Sequence, residues 1–218
     1  MTKKIEVGVI GLGKFGMALA ETLLSLGHSV LGVDEDEKSV RRAQGVIPQV
    51  YQADARDKAA LEQLGFNNFD YVMVSIGRSM EASILVTLNL QEMGVPRIWV
   101  KAVSEEHRKV LDRVGAHLAI IPEVFVAQQL AHRMAVPGLL EVLPLGKGML
   151  VRETEVDAWA GKTLRDLNLT NRFGVQVVAI RPAGAEDFNF VPKADTTLGT
   201  GDILVLLGHT DNVLKVNQ

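Results

Sequence analysis

The sequence predicts an α/β protein built as a doubly wound parallel sheet, followed by a small α+β domain. Three observations predict it. Short β-branched runs alternate with longer helical patterns over the first two thirds of the chain, as βαβ units do. A glycine-rich turn follows the first run directly, and beyond residue 138 the texture changes to short strands and turns. The length of 218 residues leaves room for two compact units, each able to bury its own core.

Six strands read at 5–10, 29–34, 49–52, 71–75, 97–102 and 117–121, several almost wholly apolar, as a sheet covered on both faces requires. Between the first two, Phe15, Leu19, Leu23 and Leu26 recur at four- and three-residue steps, which predicts a helix over 15–26 with one apolar stripe. Gly27 suits the left-handed cap that ends it, and Gly65, Gly94 and Gly115 repeat the punctuation. Pro122 opens the next helix and Glu123 complements the positive end of its dipole; the helix should run to about Ala135. Val136, Pro137 and Gly138 then interrupt the pattern, which places the domains at 1–136 and 137–218. Strands at 149–156, 175–181 and 203–207 and a brief helix near Leu164 make up the smaller domain, and no solenoid-length repeat crosses the boundary.

The first strand runs straight into Gly11, Leu12, Gly13, Lys14, Phe15 and Gly16, a GxGxxG pattern in the strand, turn and helix context its mechanism needs. In a Rossmann-like unit Gly11 permits the turn, Gly13 lets backbone approach a phosphate, and Gly16 allows close helix–strand packing. The helix N-terminus supplies N–H donors to the anion. Asp34, with Glu35 beside it, closes the second strand at about the 20-residue spacing where a carboxylate accepts from ribose hydroxyls. A carboxylate there repels a 2′-phosphate, so an adenine nucleotide or NAD(H) is expected over NADP(H). Asp54 and Ala55 follow the third strand, and Ser75, Ile76 and Gly77 the fourth; both groups lie at the carboxyl edge of the sheet, where such folds bind ligands. Asp54 either reaches adenine or ribose or caps the helix over 57–64. Lys14 and Lys101, at the loop and at the end of the fifth strand, are either phosphate contacts or solvated cations.

Other chemistries find little support. A net charge of −3 supplies no general field for nucleic acid. The absence of cysteine removes thiolate nucleophiles, thiolate metal sites and disulfides together, and fits a reducing compartment such as the cytosol. His28, His107, His117, His132 and His209 are scattered, with no pair at metal-ligand spacing and no nucleophile motif. The polar first residues show no leader pattern, and no apolar run approaches the roughly 18–20 residues of a spanning helix, so a membrane role must come through a partner. An NAD-dependent oxidoreductase shares the glycine and Asp34 pattern and stands as the rival reading, although the short second domain lacks an evident acid–base group.

Together the segments VGVIGLGKFGMALAETLLSLGHSVLGVDEDE, YQADARD, DYVMVSIG, WVKAVSEEHRKVLDRVGAHLAIIPE and FGVQVVAIRP resemble the cytosolic subunit of Trk/Ktr-type potassium transport systems over nearly the whole chain. The resemblance implies two RCK (regulator of conductance of potassium) domains, with dimers assembling into an octameric ring that docks on an integral-membrane potassium transport subunit. It implies that the chain is no enzyme, that ATP and ADP compete for the Rossmann site and favour different ring shapes, and that NAD(H) binds in some members. By position, Gly11, Gly13 and Gly16 match the phosphate loop, Asp34 the ribose carboxylate, and Asp54 with Ala55 the adenine-side turn. Lys14 stands where relatives often carry an arginine that meets a neighbour's terminal phosphate; charge is kept and bidentate geometry lost. Glu123 matches an acidic residue near Mg2+ or another cation bridging ATP at the dimer interface, or else serves only the helix start. Some relatives bind cyclic di-AMP in the second domain, here near Asn171, Arg172, Ile180 and Pro192, though Thr170 stands where a basic residue is expected. The helix carrying Val124, Phe125, Val126, Leu130 and Met134 either helps form the dimer or packs on its own domain.

Overall fold

The computed structural model describes residues 3–143 and 148–216. The chain divides into two compact units, Met1–Phe125 and Val126–Gln218.

In the first unit the strands are β1 (Glu6–Ile10), β2 (Ser29–Asp34), β3 (Gln49–Gln52), β4 (Tyr71–Val74), β5 (Ile98–Lys101) and β6 (Leu118–Ile120). They alternate with α1 (Lys14–Ser25), α2 (Glu37–Ala43), α3 (Lys58–Gln63), α4 (Met80–Glu92) and α5 (Glu105–Arg113). The strands form one parallel sheet in the order β3-β2-β1-β4-β5-β6. The chain leaves β1 toward β2 and later returns to its other side with β4, so the order reverses at β1, the kind of point where open α/β sheets bind ligands. Alternate residues of β4 show why its run is apolar throughout. Val72 and Val74 belong to one buried cluster and Met73 to another, because successive side chains point to opposite faces.

Helix α1 presents Phe15, Leu19 and Leu23 to the sheet as its spacing predicts. Leu26 does not join them. It is the C-cap residue, beyond the last full turn, and stands 65% exposed. Asp36, Asp57, Ser79 and Ser104 cap the next four helices by accepting from backbone N–H groups of the first turn. Near the sheet's other end Trp99 lies edge-on to Tyr71, with ring centroids 5.4 Å apart, and stays 39% exposed.

Helix α6 (Pro122–Ala135) follows β6 and buries none of its residues. The second unit then contains β7 (Leu139–Leu143), β8 (Met149–Glu155), α7 (Leu164–Leu167), α8 (Leu169–Phe173), β9 (Gln176–Arg181), β10 (Asn189–Phe190), β11 (Ile203–His209) and α9 (Thr210–Val213). Its sheet is antiparallel, ordered β10-β9-β11-β8-β7, over a core that includes Leu150, Trp159, Leu204 and Leu206. A reciprocal pair of bonds between Thr163 and Asp166 starts α7. The outer strands β7 and β10 are additions to the sequence reading. The first follows directly on the Pro137–Gly138 break, and the second, two residues long, is too brief to leave an alternating pattern.

Candidate functional site

The carboxyl ends of β1 to β5 open into one cleft of about 320 Å³, within the usual size of a small-ligand site. The sheet order fixes the sequence of its walls. Residues after β3 come first, then those after β2, the β1–α1 loop, those after β4, and the end of β5.

At the centre, Gly11 has φ +92°, and a side chain there would also meet the carbonyl of Ser75, 2.8 Å from its Cβ, so glycine is required twice over. Gly16 has no room for a Cβ because the Gly11 carbonyl oxygen fills the space, which seats α1 against the turn. Gly13 differs from both, since a Cβ there would meet nothing within 4 Å. It is the N-cap residue of α1, no side chain caps the helix, and its first turn holds no acidic residue. Those features leave the amide end of the helix for an anion, and the open space beside Gly13 fits a phosphate.

Asp34 ties this loop to the next. Its Oδ2 accepts from the Leu12 N–H at 2.6 Å and its Oδ1 from the Asp36 N–H at 2.9 Å. A carboxylate has about four acceptor positions, so two remain for ribose hydroxyls. Asp36, one step on, accepts from the Ser39 N–H and hydroxyl at the start of α2, and the Ser39 bond holds its carboxyl below the ordinary value.

Asp54 lines the cleft beside these two. Its carboxylate takes the Arg56 guanidinium in three contacts, Nε to Oδ1 at 2.8 Å and to Oδ2 at 3.1 Å, and Nη2 to Oδ2 at 2.7 Å. Hydrogen bonding to Arg56 lowers the Asp54 pKa and raises that of the guanidinium. The cap of α3 is Asp57, not Asp54.

Across the cleft Lys14, Arg78 and Lys101 line the β1, β4 and β5 positions. Lys101 is the most enclosed, its side chain 17% exposed, with Nζ 2.6 Å from Glu123 Oε1 and 6.0 Å from the centre of the Phe15 ring. The bond from Lys101 lowers the Glu123 pKa.

The structure thus brings Gly11, Gly13, Lys14, Phe15, Asp34, Glu35, Asp54, Ala55, Ser75, Ile76, Gly77 and Lys101 to one cleft. Gly16 supports it from behind, and Glu123 reaches it only through Lys101. Sequence reading missed Arg56, Arg78, Ser39 and Ser79 among its walls. For Arg78 a signal was present, because it follows Gly77 at the end of β4 and precedes Ser79, the cap of α4. Among the described residues no group of three or more His, Asp or Glu could hold a metal ion.

In the second unit Asn171 and Arg172 lie on α8, where Asn171 donates to the Asn168 side chain at 2.6 Å and Arg172 to the Leu167 carbonyl at 3.4 Å. Thr170 donates to the Val175 carbonyl, and Ile180 is part of the core. Among the described residues no helix is long and apolar enough to cross a membrane.

The TrkA-N domain family matches residues 7–122 and the TrkA-C domain family residues 149–218. The Ktr system potassium uptake protein C of Bacillus subtilis (strain 168) is 35% identical over 216 residues, covering 99% of this chain and 97% of its own. The Ktr system potassium uptake protein A of Vibrio alginolyticus is 37% identical over 209 residues, covering 95% and 94%. Among solved structures, the GsuK RCK domain aligns with a TM-score of 0.54 at 23% identity, over 96% of this chain and 45% of that one. The GsuK channel bound to NAD aligns with a TM-score of 0.52 at 22% identity, over 98% and 38%. The chain spans less than half the length of these two structures, and the likeness shows the shared fold. With both domain families matched in order and the Ktr proteins alike from end to end, this chain belongs to the TrkA-N/TrkA-C family of RCK-domain proteins, as a homologue of the Ktr system potassium uptake proteins.

Proposed function

We propose that the chain is the nucleotide-sensing regulatory subunit of a potassium uptake system, not an enzyme, and that ATP and ADP are the ligands of the cleft, with NAD(H) as a second adenine ligand. The observation that carries this reading is the order of charge along the cleft: carboxylates on the β2–β3 side, an open glycine turn with Lys14 at the centre, and the cations Arg78 and Lys101 on the β4–β5 side. A nucleotide laid across the sheet edge places its ribose at Asp34, its first phosphates at Gly13 and its terminal phosphate toward Lys14, Arg78 and Lys101. ATP differs from ADP only at that last position.

Regulation then works by population shift. A ligand that meets those cations differently in two assembled shapes biases the equilibrium by its difference in affinity for them. Lys101 is suited to pass the signal on, since a phosphate at Nζ competes with Glu123 on the first turn of α6. The same helix leaves Val124, Phe125, Val126, Leu130 and Met134 exposed, which supports self-association along it and, from dimers, the ring of eight. The regulated partner is an integral-membrane potassium transport subunit, and the chain works at the cytoplasmic face through it.

Thermal-shift measurements with ATP, ADP, AMP, NADH and NADPH test the cleft, and co-purification with a potassium transport membrane subunit tests the partner. The reading expects ATP, ADP and NADH to stabilise the protein. A larger shift with NADPH would overturn the role given to Asp34, and a monomer by sedimentation with and without nucleotide would remove the assembly mechanism.

A further inference from the structure

Arg56 is the one cation among the described lining residues that stands on the carboxylate side of the cleft. Its surroundings deny it the usual role of a phosphate contact. Three donor contacts go to Asp54, Nη2 lies 3.6 Å from Glu35 Oε2, and Asp34 faces the same space, so an added phosphate would meet three carboxylates around one guanidinium. The residue is nonetheless held with care. Its own N–H donates to Asp54 Oδ1 at 2.9 Å, and its carbonyl accepts from the Asn89 side chain at 3.0 Å, so backbone and side chain are both fixed. Half of the side chain remains exposed.

A guanidinium whose edge is occupied by a carboxylate still has its flat faces, and those stack on planar π systems. The neighbouring walls suit such a partner. Ala53 and Ala55 are the smallest side chains available there, and the only aromatic ring lining the cleft among the described residues, Phe15, lies on the other side near Lys101. Tyr51, on β3, does not line it.

We propose that Arg56 is the platform on which the base of the nucleotide stacks, with Asp54 as its positioning residue. This rests on the nucleotide reading of the cleft and sharpens it. The ligand class is a nucleotide with a large planar base and an unmodified 2′-hydroxyl, and recognition at this end reads the plane of the base more than its edge. Because Asp54 orders the guanidinium in advance, stacking immobilises little that is not already fixed.

Titration calorimetry with ATP, ADP, AMP and inorganic tripolyphosphate tests it. Arg56→Ala lowers affinity for the three nucleotides by a common factor of about tenfold and leaves tripolyphosphate unchanged. Arg56→Lys, which keeps the charge without the plane, binds as weakly as Arg56→Ala, while Arg56→Tyr recovers most of the affinity. Asp54→Asn lowers nucleotide affinity by about threefold, and has no further effect once Arg56 is alanine. Recovery by Arg56→Lys, or equal losses for ATP and tripolyphosphate, would show a charge contact and overturn the inference. So would an Arg56→Ala protein that binds nucleotides like the parent. If the parent protein binds tripolyphosphate but no nucleotide, or binds nothing at all, the reading of the cleft fails, and this inference with it.

Discussion

The two sides of the cleft are made of different materials. At the centre and toward β4 the grip comes from backbone, carbonyls packed closely on Gly11 and Gly16 and a helix end without a cap, with Lys14, Arg78 and Lys101 added around it. Toward β2 and β3 it comes from side chains that hold one another: Asp34 on two amides, Asp36 on Ser39, Arg56 on Asp54. The difference teaches where each part is tolerant. Backbone sites fail by steric collision, which is all or nothing, whereas side-chain sites fail by degrees.

The largest expected effect lies on the backbone side. Gly16→Ala puts a methyl into the Gly11 carbonyl, which should cost about 3 kcal/mol or more and abolish nucleotide stabilisation, read as a fall in Tm and a flat thermal-shift response. A stable Gly16→Ala protein that binds ATP normally would break the comparison. Next comes Asp34→Ala, which leaves the Leu12 and Asp36 N–H groups without their acceptor and should lose about 1–3 kcal/mol in urea unfolding while weakening nucleotides more than tripolyphosphate.

Lys101→Met tests the opposite pattern. It should lower ATP affinity by about tenfold and leave AMP unchanged, since it removes a charge from the terminal-phosphate side alone. Equal losses for ATP and AMP would mean that the two sides are not separable.

The smallest effect supplies a control outside the cleft. His107 is 2% exposed; its Nδ1 accepts from the Val103 N–H at 3.3 Å, so Nε2 carries the proton and meets the Ser83 hydroxyl at 3.2 Å. Burial lowers its pKa from the ordinary 6.5. The unfolded chain therefore takes up a proton first, and the contribution is complete above about pH 6.5 and declines as pH falls through that value toward the lower folded one. Urea midpoints measured from pH 7.5 to 5.5 should fall, and His107→Gln should flatten part of the slope without changing relative affinities in the cleft.

Much of the backbone side was legible in the sequence, because a glycine that must be glycine leaves an identity and a spacing. Gly11, Gly13 and Gly16 could be read with Asp34 at the end of β2, and the six apolar runs gave the parallel sheet almost to the residue. The side-chain side was less legible. Arg56 sits among Asp54, Asp57 and Lys58, where a charged run reads as solvated surface, so that Asp54 and Ala55 could be placed at the sheet's carboxyl edge while Arg56 between them and α3 was passed over. Leu26 was misplaced for the opposite reason: the stripe continues one residue past the last turn, and periodicity alone does not mark where a helix stops. For α6 the sequence left two readings open, a dimer contact or packing on its own domain, and the helix buries none of its residues.

The chain has two tryptophans, one in each unit and in unlike settings. Trp159 is 8% exposed in the second core, and Trp99 lies half open against Tyr71 on the first sheet. Unfolding the second unit moves its indole from hydrocarbon to water and shifts the emission strongly to the red, while the first unit changes colour little. Intrinsic fluorescence therefore reports chiefly the smaller unit and circular dichroism both, so a gap between the two melting curves would give the separate stabilities of the halves without a label or a truncation.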